Sequence, residues 1–286
     1  MDETRIALIT DSTNDLPQEL RNQYQIAVVP LTIVWGENQF LDGVDLTPQE
    51  FYDRLPGSLV HPTTSQPTPG SFLEAYEAAR TAGAAEIVVC TISSAMSGTI
   101  TSARMAAENY SLPVTIVDSK SNSMSLGWQL LAMARTREKG GGVEEMKHAA
   151  DEVRGKLHYH IVLDTLEYLV RGGRIGSAAR LIGNVLKIKP QIRVNHQTGT
   201  VEAGDISTTR KKAIESLYSS FFKKVDTAKP LHIAVLHNGV EEDALELLDK
   251  VKIEFAPVEL IKGIVSPVLG AHTGPRAIAL CGYSEP

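Results

Sequence analysis

Cysteine is almost missing from this chain: two residues in 286, Cys90 and Cys281. A disulfide scaffold needs more, so the composition points to a reduced, cytoplasmic protein. Both cysteines sit in short apolar runs that read as buried strands, with no histidine or second thiol nearby in sequence to make a metal site. Basic charge is also in deficit, with 28 Lys and Arg against 34 Asp and Glu and a formal charge of -6. Nucleic acid and anionic membranes recruit positive surfaces, so neither is expected as a standing partner. No apolar run approaches the roughly 20 residues of a membrane span. The run Ile6-Ala7-Leu8-Ile9 is too short for a signal-peptide core. The phosphate-binding patterns G-x-x-x-x-G-K-[ST] and G-x-G-x-x-G do not occur. Internal repeats and low-complexity tracts are lacking too.

A hydrophobic fraction of 43% supports a substantial core. Apolar, β-branched runs at Arg5 to Thr10, Ile26 to Val34, Glu86 to Thr91 and Pro113 to Val117 predict strands. Between and after them, Phe72 to Ala82, Thr99 to Glu108 and Ser123 to Glu138 carry apolar residues at helical spacing. Strand and helix in alternation predict a parallel sheet with helices on both faces, the first of two domains, at residues 1–157. Gly140-Gly141-Gly142 reads as a turn between two helices. From residue 158 to 286 the pattern predicts a second, α+β domain with a mixed or antiparallel sheet. It has a hairpin around His196 to Gly199, helices at Thr209 to Lys224 and Glu241 to Lys250, and strands at Leu231 to Leu236 and Val258 to Ile261. The loop of His272 is expected to return to the domain junction.

Hydroxyls gather at the ends of the predicted strands: Thr10 to Thr13, Thr91 to Thr99, and Asp118-Ser119. His61 to Pro67 forms a fourth polar stretch before a helix. One hydroxyl caps one helix; Ser93, Ser94, Ser97 and Thr99 together exceed that need. Ligands of open parallel sheets bind beyond the carboxyl ends of the strands. Hydroxyls and helix amides there suit a small anion, and a carboxylate can be met by a few neutral donors and one partly charged group. His272 is the candidate for that group. Asp11 and Asp118 read as residues capping helix starts, and Met96 as packing.

Seven motifs, TDSTNDLP at 10–17, TSQP at 64–67, ISSAMSGT at 92–99, VDS at 117–119, EYLVRGGRI at 167–175, KIKP at 187–190 and HTGP at 272–275, resemble the DegV family of bacterial fatty-acid-binding proteins. The resemblance implies a two-domain α/β protein that encloses one long-chain fatty acid as ligand, with no cofactor and no metal. It further implies that the carboxylate lies at the domain junction and is presented to a separate fatty acid kinase, which makes acyl phosphate for phospholipid synthesis. A transient membrane contact is compatible with that role. The implied carboxylate contacts are Thr64, Ser94 and His272, with Ser65, Ser93 and Ser97 close enough that the choice within each motif stays open. Arg174 in RGGRI suits a phosphate or a partner's carboxylate, or is a solvated turn residue. Two departures from the family pattern stand at Thr208, where an arginine is common, and at Arg276, where H-x-G-P-G ends in glycine. The competing reading is a serine hydrolase acting on an acyl ester or thioester, using Ser94 or Ser97 with His272 and Asp11 or Asp118. The missing G-x-S-x-G counts against it.

Overall fold

The computed structural model describes residues 5–181 and 188–285, so Lys187 of the KIKP motif lies outside the described residues. The chain opens with β1 (Ile6–Asp11), α1 (Gln18–Gln23) and β2 (Ile26–Val29), then β3 (Thr32–Trp35), β4 (Asn38–Leu41), α2 (Pro48–Arg54) and β5 (Thr63–Ser65). Next come α3 (Pro69–Thr81), β6 (Glu86–Thr91), α4 (Thr99–Ala107), β7 (Val114–Asp118), α5 (Ser123–Glu138) and α6 (Val143–Lys156). The first sheet runs β2-β1-β6-β7 and is parallel throughout. Its two faces follow the strand period of two. Ile87 and Val89 face one way onto Phe72 and Tyr76 of α3 and Ala103 of α4. Val88 and Cys90 face the other way, onto the core containing Met124, Leu126 and Leu130 of α5.

The run at residues 26–34, expected as one strand, is two. β2 belongs to the parallel sheet, whereas β3 pairs antiparallel with β4 and β5 in a separate three-stranded sheet. Pro30 stands at the break, and its missing N–H ends the ladder there. This small sheet carries Thr64 at the middle of β5.

The second half comprises β8 (His158–Val162), α7 (Glu167–Arg171), β9 (Lys189–Asn195), β10 (Thr200–Ser207), α8 (Arg210–Phe222) and β11 (Leu231–His237). It continues with α9 (Glu241–Phe255), β12 (Glu259–Ile264), α10 (Pro267–Thr273) and β13 (Ile278–Ser284). The sheet order is β10-β9-β8-β13-β11-β12, antiparallel except for the parallel pair β11–β12, hence mixed. β9 and β10 form the anticipated hairpin. Leu217 and Phe221 of α8 and Leu247 and Val251 of α9 cover one face. The opposite face, including Ile161, Ala234 and Cys281, joins the core around α5. α5 is therefore enclosed between the two large sheets, and residues Ser123 to Leu131 are buried on every side, the polar Ser123, Ser125 and Gln129 being hydrogen-bonded inside. Both cysteines are buried in strands.

Candidate functional site

Residues just past the carboxyl ends of β1, β6 and β7, namely Thr13, Ile92 and Asn122, wall a cavity of about 290 Å³. The second half closes it with Ile161, Leu169, Ile192, Val194, Val201, Val268 and Leu269. These are branched aliphatic side chains on strands or short helices, so most of the wall is apolar. Besides Thr13 and Asn122, the polar lining is Thr64, Ser65 and Gln66 from one side, Ser97 from the loop after β6, and Arg174, His272 and Thr273 from the second half.

The Thr64 hydroxyl lies 2.8 Å from His272 Nε2, bringing the TSQP and HTGP motifs together. His272 Nδ1 is buried without a hydrogen-bond partner. Burial, the Arg174 guanidinium and His61 push the imidazole down to about 4, so His272 is neutral at pH 7. The ring can seat there because residue 172 is glycine: a Cβ at that position would lie 2.2 Å from His272 Nδ1. The RGGRI glycines thus serve close approach as well as the turn. Arg174 is exposed at the rim, donating from Nε to the Met96 carbonyl at 3.2 Å and from Nη1 to the Gly172 carbonyl at 2.7 Å. Its charge stands beside the His272 pocket without a carboxylate partner among the described residues. Met96 does more than pack against the core: it also lines the cavity.

Two of the candidate serines have other partners. Ser93 is buried and donates to the Gly199 carbonyl at 2.8 Å. It pins the tip of the β9–β10 hairpin, where Gly199 takes φ 72 and a Cβ would strike the Ser93 hydroxyl. Ser94 is exposed, and its hydroxyl donates to Asp118 Oδ2 at 2.5 Å. The serine of this motif that faces the cavity is Ser97, whose hydroxyl lies 2.9 Å from that of Thr99. Ser65 lines the cavity beside Thr64. Neither Ser94 nor Ser97 hydrogen-bonds His272, so these residues form no serine–histidine pair of the kind a hydrolase uses. Asp11 accepts from Thr13 N and Ile92 N, tying the ends of β1 and β6 together, while Asp118 accepts from Ser94 N and Lys120 N.

Sequence reasoning missed what holds α10, the helix that carries His272. Asp15 accepts from Ser266 N at 2.9 Å and from the Ser123 hydroxyl at 2.6 Å. Asp42 accepts from Val268 N at 3.3 Å and from the Ser12 hydroxyl at 2.6 Å. Two carboxylates of the first half thereby cap the start of α10. At its other end, the buried Asn238 donates from Nδ2 to Thr273 Oγ1 at 2.8 Å and to the Gly274 carbonyl at 2.6 Å. Asp15 lies within TDSTNDLP, but of the two aspartates in that motif only Asp11 drew a reading, as a local cap. Among the described residues no helix is long and apolar enough to cross a membrane.

Comparison with known proteins agrees with this architecture. The family model "Uncharacterised protein, DegV family" matches residues 5–285. Protein DegV of Bacillus subtilis is 30% identical over 278 residues, covering 96% of this chain and 98% of its own. A fatty-acid-binding DegV family protein of Thermus thermophilus superposes with a TM-score of 0.91 at 32% identity, over 98% of this chain and 100% of that one. A stearic-acid-binding protein of Eubacterium ventriosum gives a TM-score of 0.89 at 26% identity, over 98% of both chains. The chain belongs to the DegV family.

Proposed function

We propose that this protein encloses one long-chain fatty acid, its carboxylate set against the Thr64–His272 pair with Ser97 and Ser65 alongside, and presents that head group to a separate fatty acid kinase. The observation that carries the reading is a cavity with a largely aliphatic wall and a hydroxyl–imidazole pair 2.8 Å apart on its polar side. The stearic-acid-binding relative supports an acyl chain as the occupant. With the neutral His272 Nε2–H donating to Thr64 Oγ1, the Thr64 hydroxyl proton is free to donate to a carboxylate oxygen, and Arg174 supplies the charge at the rim. Burying about fourteen methylenes at roughly 0.8 kcal/mol each gives on the order of 11 kcal/mol before association costs. Neutral hydrogen bonds to the head group add about 1 kcal/mol each. The chain therefore supplies affinity, and the head-group residues supply orientation. In this reading the protein is a carrier subunit, phosphoryl transfer belongs to the kinase, and Arg174 is placed to meet the phosphate as it arrives.

Denaturing extraction and mass spectrometry of the purified protein test the reading. About one acyl chain per protein is expected, because an empty apolar cavity is filled from any lysate. Extracts free of fatty acid would refute it. Acyl phosphate should form only when kinase and loaded carrier are combined.

A further inference from the structure

The first sheet ends on one side in β7, which among the described residues pairs with β6 alone. Ile87 N donates to the Pro113 carbonyl and Ser119 N to the Thr91 carbonyl. In the alternation of a parallel ladder, Pro113, Thr115, Val117 and Ser119 therefore address β6, and Val114, Ile116 and Asp118 turn their N–H and C=O groups outward. Among the described residues nothing bonds those outward groups. An open row of this kind is a template for another strand, and proteins usually blunt it. The other edges of the two large sheets are blunted. β2 stops at Pro30 after four residues, β10 carries a break in register between Ala203 and Ile206, and β12 has the exposed Lys262 in mid-strand. β7, Val-Thr-Ile-Val-Asp, has no lysine, proline or register break.

Beside this edge, Thr101, Arg104, Met105 and Glu108 fall at i, i+3, i+4 and i+7, so they share one face of α4 and its last turn. All four are exposed, Met105 to 57%, and with Val114 and Ile116 they line a shallow hollow against β7. Neither Arg104 nor Glu108 joins an ion pair among the described residues. We propose that β7 is the seat of a symmetric dimer, in which a second copy of this chain pairs its own β7 antiparallel across the open edge. Centred on Ile116, the pairing sets Val114 of each chain opposite Asp118 of the other, so outward groups meet outward groups and the two parallel sheets become one. The charges name the occupant. A two-fold contact is self-complementary, residue i meeting j and j meeting i. Arg104 and Glu108 are opposite in sign and one turn apart on the same face, so the rotation brings Arg104 of each copy to Glu108 of the other, with Met105 between them. The contact uses no residue that lines the cavity, and it stands or falls separately from the fatty-acid reading.

Sedimentation velocity on the full-length protein between about 1 and about 100 μM provides the test. Association to twice the mass of one chain is expected within that range. Arg104→Glu and Glu108→Arg each set like charges across the two-fold and should weaken association about tenfold. The double exchange restores opposite charges and should return association to near the wild-type strength. Both positions are exposed, and an unchanged melting temperature verifies that the variants fold. Amide hydrogen exchange at Val114, Ile116 and Asp118 should slow as wild-type concentration rises, and slow less in either single variant. A chain that stays monomeric at about 100 μM would overturn the proposal, even if some other protein uses this edge. A dimer whose strength ignores both charge reversals would overturn it too, as would one in which the β7 amides exchange as fast as in the monomer, since its seat would then lie elsewhere.

Discussion

Thr64 and His272, 208 residues apart in sequence, meet at 2.8 Å across the cavity. One sits on a three-residue strand and the other near the end of a seven-residue helix, so neither is positioned by its own element alone. Their separation in sequence makes the pair sensitive to how the two halves pack. Thr64→Val keeps the side-chain shape and removes the hydroxyl. Bound lipid should persist, because about 1 kcal/mol of hydrogen bonding is lost against on the order of 11 kcal/mol of chain burial. Acyl phosphate formation with a cognate kinase should fall about a hundredfold, since a displaced reacting oxygen is poorly tolerated. Lipid occupancy and transfer rate, measured on the same preparation, check this. Undiminished transfer would show that the carboxylate lies elsewhere.

The serines of ISSAMSGT should separate by role. Ser94→Ala breaks an exposed link to Asp118 and should lower stability by about 1 kcal/mol or less, with lipid presentation unchanged. Ser97→Ala alters the cavity lining and should slow acyl phosphate formation with little effect on melting temperature. Double-mutant cycles with Thr64→Val provide the comparison: Ser97 should couple to Thr64 and Ser94 should not. The opposite pattern would restore Ser94 as the head-group ligand.

Much of the architecture was legible because it rests on local periodicity. β6 and α5 fall where the apolar pattern places them, and the β9–β10 hairpin follows from two β-branched runs around a polar turn. The division of residues 26–34 was less legible, since both pieces are β-branched and only Pro30 marks the change of sheet. Within the site, motif membership located the right loops but not the right atoms. Ser93, Ser94 and Ser97 are alike in type, and which one faces the cavity depends on where Gly199 and Asp118 stand, facts of tertiary packing. The carboxylates behind α10 were hidden for the same reason, as Asp42 lies 226 residues from the amide it accepts. Arg276, which stands where H-x-G-P-G ends in glycine, takes φ 64 in the left-handed region where glycine is favoured.

Gly172→Ala should imitate loss of His272 without touching it. The added methyl would lie 2.2 Å from Nδ1 and 3.1 Å from the Tyr168 carbonyl oxygen, and the imidazole has more freedom to move than the backbone. Displaced from Thr64 and from its buried seat, His272 should titrate nearer the ordinary 6.5 than the present value of about 4. Titration of the histidine ring protons by NMR reads this directly, and acyl phosphate formation should fall as in His272→Ala. An unmoved resonance would mean that the helix yields instead of the ring.

The carboxylates that hold α10 should make stability depend on pH in an unusual direction. Burial pushes Asp42 from 3.8 up to about 8, opposed by the Ser12 hydroxyl and the Val268 amide and reinforced by the charges of Asp15 and Asp11. Burial likewise takes Asp15 to about 6, opposed by Ser123 and Ser266 and by the Arg21 charge. Because each folded value lies above the unfolded one, the folded protein retains a proton that the unfolded chain releases. The stabilisation is complete below about pH 4 and is lost as pH rises, through about 6 for Asp15 and about 8 for Asp42. Each group contributes about 1.4 kcal/mol per pH unit within its window. Asp42→Asn keeps an acceptor for Val268 N and cannot ionise. Its melting temperature relative to wild type should therefore climb between pH 4 and 8 and level off above, whereas Asp15→Asn should level off near pH 6. Thermal melts across that range in buffers of constant ionic strength make the measurement. A difference between Asp42→Asn and wild type that stays flat with pH would show that Asp42 ionises freely in the folded protein, and that the cap on α10 is not a buried one.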